Sequence, residues 1–106
     1  YYYLFVSYDF CCRGLKSDYK VVVGRSTRVT GPYVDKDGRE LTRGGGSLVV
    51  DSNDEFVAIG HSAAYHFDGK DYFMAHGYSS SEDGASKLFF REMTWDEEGW
   101  PLVSAE

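Results

Sequence analysis

A whole series of segments occurs twice in this chain. Tyr2-Tyr3-Leu4-Phe5-Val6-Ser7-Tyr8 matches Tyr72-Phe73-Met74-Ala75-His76-Gly77-Tyr78, and Lys20-Val21-Val22-Val23 matches Lys87-Leu88-Phe89-Phe90. Each copy then reaches a glycine, proline and aromatic cluster, Gly31-Pro32-Tyr33 in the first and Gly99-Trp100-Pro101 in the second. Such repetition constrains the fold more than any single motif, because each copy buries its apolar face only by stacking on a neighbour. The repeated segments are short, aromatic or β-branched, and joined by loops of alternating length, so the unit reads as a small antiparallel sheet, the blade of a β-propeller. The copies differ in completeness. An apolar strand at 61–67 precedes the second aromatic segment, whereas Tyr1 opens directly on the first, with no initiator Met and no polar lead-in. The expectation is an all-β chain of about two antiparallel blades. Residues 1–50 form a blade lacking its inner strand and 51–106 a nearly complete final blade, both cut from something longer.

Composition supports strands and excludes several partners. The chain is 17% aromatic, with nine Tyr and seven Phe, and carries a formal net charge of −6, so no basic field exists to attract a phosphate backbone or an anionic lipid surface. Nucleic acid and membrane are therefore not expected partners. No apolar run approaches the roughly 20 residues that cross a bilayer, and no basic stretch followed by an apolar one marks a signal segment.

Along the chain, the aromatic run 1–8 ends in Asp9-Phe10-Cys11-Cys12-Arg13-Gly14, and 19–24 is a β-branched run that reads as its antiparallel neighbour. Gly31-Pro32 and Asp35-Lys36-Asp37-Gly38 are turn chemistry, the second a hairpin in which Gly38 supplies the positive φ. Gly44-Gly45-Gly46 lacks the Lys and helix start of a phosphate loop and reads as a turn opening a short strand at 47–50. An apolar strand at 56–67 is interrupted by His61 and closed by Asp68-Gly69-Lys70; 72–78 returns, 79–85 is a polar loop, and 87–93 is a further strand. Nothing has the caps and period of a helix. Cys11 and Cys12 are adjacent and can close only a strained ring, so two free thiols are the expected state, with a vicinal disulfide stiffening the loop as the alternative.

The runs 1–14 and 19–26, then Thr30-Gly31-Pro32-Tyr33-Val34-Asp35, Gly44-Gly45-Gly46 and Trp95-Asp96-Glu97-Glu98-Gly99-Trp100-Pro101, closely resemble the C-terminal part of family 43 glycoside hydrolases, particularly the endo-1,5-α-L-arabinanases. The resemblance covers almost the whole chain, and the Cys-Cys-Arg-Gly and Val-Gly-Arg-Ser blocks are distinctive. It implies a five-bladed propeller whose axial pocket cuts arabinan or arabino-oligosaccharide with inversion, and a secreted or periplasmic setting. Inversion needs an acid and a base about 6.5 to 9.5 Å apart, with a water between base and sugar. By resemblance the base, the acid and a third, pKa-tuning carboxylate would all precede Tyr1, so no catalytic residue is assigned here.

The candidate sugar-contacting residues are Asp9, Phe10, Cys12 and Arg13, in the loop that ends the first aromatic strand. Asp35, Asp37, Asp51, Asp54, Asp68, Glu82 and Asp83 sit in turns or loops, where local hydrogen bonding explains them. Arg13 could donate to sugar hydroxyls or neutralise Asp9. Ala58-Ile59-Gly60-His61-Ser62 lies where the family has Gly-Pro-Gly-His-Asn, whose His approaches an axial metal, usually calcium. His61 is thus the candidate metal-associated residue, against a purely structural role. His66 and His76 are expected to be packing or surface residues. The alternative is a non-catalytic carbohydrate-binding or self-associating fragment, since two blades leave strand edges and apolar faces open. Either the missing upstream blades or a second copy would then cover them.

Overall fold

The computed structural model describes residues 1–104; the last two positions of the 51–106 unit lie outside the described residues. The all-β expectation holds. Strands β1 (Tyr2–Tyr8), β2 (Lys20–Ser26) and β3 (Ser47–Val50) form one sheet in the order β1-β2-β3. Strands β4 (Phe56–Phe67), β5 (Lys70–Ser79), β6 (Ser86–Trp95) and β7 (Pro101–Val103) form a second in the order β4-β5-β6-β7. Every pairing is antiparallel. The only helical pieces among the described residues are single 3₁₀ turns at Gly14–Lys16 and Leu41–Arg43.

The sequence dictates these elements through turn chemistry and burial. Asp68 and Gly69 both adopt left-handed φ, 52° and 79°, the conformation that lets two residues close the β4–β5 hairpin at Phe67 and Lys70. The sheets face each other over a core of Val21, Val50, Phe56, Ile59, Phe73, Ala75, Phe89 and Met93, with Phe5 packed against it. Phe73 and Phe89 are fully buried, and the Phe56–Phe89 and Phe73–Phe89 rings meet edge to face at 5.8 and 6.2 Å, an arrangement favourable beyond area burial alone. Phe5 carries the contact across the seam, 6.1 Å from the Phe73 ring.

The end of the second sheet is latched to the first. Tyr3 donates its hydroxyl to the Gly99 carbonyl, and Arg25 Nη1 donates to the Glu98 carbonyl at 2.6 Å. The Arg25 guanidinium lies between the rings of Tyr1 and Trp100, 4.0 and 4.1 Å from their centroids, so its charge is held by two π faces as well as by hydrogen bonding.

The structure revises one internal alignment. The counterpart of the turn at 96–100 is not Gly31-Pro32-Tyr33 but 35–39. Asp35 and Asp96 each donate their backbone N–H to the carbonyl four residues on, and accept from the glycine three residues on. Each also receives two backbone N–H groups on Oδ1, from Asp37 and Arg39 in one case and Glu98 and Trp100 in the other. Val34 bridges Glu40 across the first turn as Trp95 pairs Pro101 across the second. The shared pattern is Asp-x-x-Gly-x, with Gly38 and Gly99 at φ 81° and 84°, a conformation glycine takes without steric cost.

A candidate carbohydrate-binding loop

The loop between β1 and β2 is built outward from its backbone. Asp9 leaves the strand at φ 74°, and its carboxylate binds the Lys20 ammonium; that hydrogen bond raises the Lys20 pKa. The Phe10 N–H donates to Asp18 Oδ1 at 2.9 Å, while the Phe10 carbonyl accepts from the N–H groups of Asp18 and Tyr19 at 2.9 and 3.0 Å. Its backbone is therefore pinned, yet the residue is 60% exposed. Arg13 donates its N–H to the buried Ser17 Oγ at 2.9 Å and lays its guanidinium over the Phe10 ring, 4.7 Å from the centroid. Arg13 thus stacks on Phe10, and neutralising Asp9 falls to Lys20.

Between them, Cys11 and Cys12 are joined as a vicinal disulfide, which corrects the expectation of two free thiols. The loop already turns back at Cys12, φ 70°, and the Cys12 N–H is held by Tyr78 Oη at 2.7 Å, so the backbone that brings the two side chains together is fixed by contacts outside the ring. Phe10, the disulfide and Arg13 form a rigid, projecting surface that combines an apolar face with forked donors. Such a surface can stack on the C–H face of a sugar and donate to its hydroxyls.

Tyr78 was not singled out from sequence, where it is one more aromatic in a strand. Its ring lies 6.0 Å from that of Tyr19. Tyr19 is almost fully buried, and burial first, then Tyr78, pushes its hydroxyl up to about 12, so it stays a neutral donor. Gly60 makes this packing possible, since an added Cβ there would sit 2.4 Å from the Tyr19 ring.

His61 lies on β4 at φ 54° and donates its N–H to Ser7 Oγ at 2.9 Å. No group of three or more His, Cys, Asp or Glu residues able to hold a metal occurs among the described residues. A hard cation such as calcium draws six to eight oxygen ligands, and the side chains around His61 do not make that set. His66 pairs Nδ1 with Asp71 Oδ1 at 2.7 Å, and Asp71 Oδ2 accepts from Trp95 Nε1 at 2.7 Å. Those bonds, Trp95 first, lower the Asp71 pKa. Asp35 is buried and accepts backbone N–H groups on both oxygens, the bond from Gly46 first among the causes that lower its pKa. Each of these carboxylates is engaged in holding a turn or a neighbouring side chain.

Comparison with known proteins places this geometry. The model of glycosyl hydrolases family 43 matches residues 1–101. The chain is 50% identical, over 97% of its length, to the extracellular exo-α-(1→5)-L-arabinofuranosidase ArbA of Cellvibrio japonicus. It is 38% identical, over 95% of its length, to the extracellular endo-α-(1→5)-L-arabinanase 1 of Bacillus subtilis. It spans 30% of each of those relatives. Among solved structures, an exo-1,5-α-L-arabinanase from a bovine ruminal metagenomic library superposes with a TM-score of 0.96 at 52% identity, covering 100% of this chain and 34% of that one. A Cellvibrio cellulosa α-L-arabinanase complexed with arabinohexaose gives 0.93 at 49% identity, covering 96% of this chain and 32% of that one. The chain belongs to glycoside hydrolase family 43, and its two sheets are blades of the five-bladed propeller that arabinanases of this family build.

Proposed function

We propose that this chain forms one wall of the substrate cleft in an extracellular enzyme that hydrolyses α-1,5-linked L-arabinofuranosyl units with inversion, the acid and base coming from outside residues 1–106. The observation that carries this reading is the pinned surface of Phe10, Cys12 and Arg13, on a chain 50% identical over 97% of its length to an exo-α-(1→5)-L-arabinofuranosidase. Asp9, bound to Lys20, orients the start of that loop rather than reacting. The carboxylates here support a non-catalytic role, since Asp35, Asp71 and Asp96 each hold protein groups. The test is incubation of the intact protein with arabinohexaose, with products followed by chromatography and the first-formed anomer read by proton NMR. Arabinose or short arabino-oligosaccharides, released first as the β-anomer, are expected. Cleavage of xylan or galactan without arabinan would overturn the substrate assignment.

A second reading attaches to β1. Among the described residues it pairs only with β2, and Tyr2 and Leu4 are exposed, leaving an edge that templates a further strand. A strand from the rest of the polypeptide covers it in this account, whereas a second copy would do so in a self-associating fragment. Light scattering on the intact protein separates the two: a monomer supports the first and a dimer the second.

A further inference from the structure

We propose that the Asp68-Gly69 step, at the tip of the β4–β5 hairpin, is a site of spontaneous covalent modification, where the Gly69 nitrogen attacks the neighbouring carboxyl group and the step reopens as isoaspartate. The sequence holds three Asp-Gly steps, Asp37-Gly38, Asp68-Gly69 and Asp83-Gly84, and glycine at the second place removes the Cβ that would obstruct ring closure. The structure separates the three. The Gly38 N–H donates to the Asp35 carbonyl at 3.0 Å, and the Gly84 N–H donates to the Ser79 carbonyl at 2.8 Å. Gly84 is also packed, since a Cβ added there would lie 3.0 Å from Gly14 Cα. Among the described residues no acceptor holds the Gly69 N–H, and a Cβ added to Gly69 would meet nothing within 4 Å. Asp68 and Gly69 are both exposed, so water has access to the step.

The chemistry balances with water alone. Once the Gly69 N–H has given its proton to solvent, the nitrogen attacks Asp68 Cγ, a C–N bond closes a five-membered imide, and the carboxyl hydroxyl leaves as water. A water molecule then adds to either imide carbonyl. Opening at Cγ restores Asp, whereas opening at the backbone carbonyl routes the main chain through Cβ and Cγ, giving isoaspartate of unchanged mass. An amide that donates to a carbonyl must break that bond before its peptide plane turns toward the carboxyl, and Gly69 has none to break. The product lengthens the turn by one backbone atom. Asp68 and Gly69 alone connect the pair Phe67 and Lys70, with His66 opposite Asp71 one step further in, and in a hairpin the length of the loop fixes the register. Asp71 holds both His66 and Trp95, and the Trp95 ring lies 4.8 Å from that of Tyr3 on the other sheet. Modification at the tip thus reaches the seam through Asp71.

The experiment is prolonged incubation of the intact, folded protein at mildly acidic pH, then digestion and chromatography of the three Asp-Gly peptides. Isoaspartate is counted by methyl transfer from S-adenosylmethionine with isoaspartyl methyltransferase, and the same incubation in denaturant gives the intrinsic rates. In the folded protein, conversion at Asp68 should exceed that at Asp37 or Asp83 by at least about fivefold, the factor that one hydrogen bond of about 1 kcal/mol is worth. In denaturant the three should converge. Asp68→Asn, which tolerates left-handed φ, passes through the same imide with ammonia leaving, and should convert faster than the unmodified protein; Asp37→Asn and Asp83→Asn should lag behind it. The isoaspartate form, separated by ion exchange, should melt at a lower temperature and show altered tryptophan fluorescence. Equal conversion at the three steps in the folded protein, or conversion of Asp68 in denaturant alone, would overturn the proposal. Unchanged melting and fluorescence in the isoaspartate form would overturn the route through Asp71.

Discussion

Two pairs of loops occupy corresponding places in the two sheets, and they behave in opposite ways. The turns at 35–39 and 96–100 keep the same backbone and Asx hydrogen bonds although only the Asp and Gly are common to both. The loops at 9–19 and 80–85, which abut where an added Cβ on Gly84 would lie 3.0 Å from Gly14 Cα, have diverged. The first carries a disulfide, an exposed pinned Phe and a stacked Arg. The second is a polar turn supported by a Lys87–Glu82 ion pair. What repeats is the scaffold, and what differs is the exposed surface of the loops, the part of a fold that varies most readily on a rigid frame.

Substitutions at corresponding positions sharpen that contrast. Phe73→Ala should cost about 3–5 kcal/mol of stability, the range for emptying a buried aromatic site, and more than Tyr3→Ala at the corresponding position, whose side chain sits in the seam. Denaturant unfolding of the intact protein checks both, and equal costs would break the distinction between core and seam. Next, Asp35→Ala should cost about 1–3 kcal/mol, because three backbone N–H groups lose their partner in a buried turn. Asp96→Ala, at the partly buried counterpart where two backbone N–H groups rather than three are held, should cost less. The Asp35 pKa is lowered in the folded state, so its contribution is complete above the ordinary carboxylate value of 3.8 and is lost as pH falls below it. Acid unfolding should therefore come earlier on the pH scale for the unmodified protein than its neutral-pH stability alone suggests, and Asp35→Asn should flatten that dependence.

Alkaline pH probes the packing under the loop. Tyr19 is raised from 10.0 to about 12, so the unfolded chain loses its proton first, and stability should decline as pH rises through that interval. Tyr19→Phe should remove that decline, and absorbance at 295 nm follows the phenolate directly. The smallest effect is expected for Tyr78→Phe, which removes the acceptor of the Cys12 N–H together with the hydroxyl that hydrogen-bonds Tyr19. A loss of about 1 kcal/mol is the ordinary value of one such bond, together with faster reduction of the disulfide by thiols.

The repeat, the hairpins and the blade-like sheets were legible because they rest on period-two alternation and local turn residues such as Asp68-Gly69. The family was legible in contiguous blocks such as Cys-Cys-Arg-Gly. The equivalence of 35–39 with 96–100 was not, because it resides in hydrogen bonds made by an Asp and a Gly, and the proline and aromatic neighbours drew the alignment to the wrong glycine. Tyr78 supports the Cys12 backbone from the other sheet, and no local pattern announces a contact across such a span. The nearness of His76 to His61, with ring centroids 5.3 Å apart, depends on a bulge that shifts which side chains share a face, and a one-residue shift of that kind is invisible to an alternation count.

The central claim is that the loop at 9–19, and not its counterpart at 80–85, meets the substrate. The most direct measurement is the kinetics of arabinohexaose hydrolysis by the intact protein carrying Phe10→Ala with Arg13→Ala, beside Glu82→Ala with Lys87→Ala. The account predicts at least about a tenfold loss of kcat/KM for the first pair, mostly through KM, and less than about a twofold change for the second. Equal losses in both, or none in the first, would contradict it.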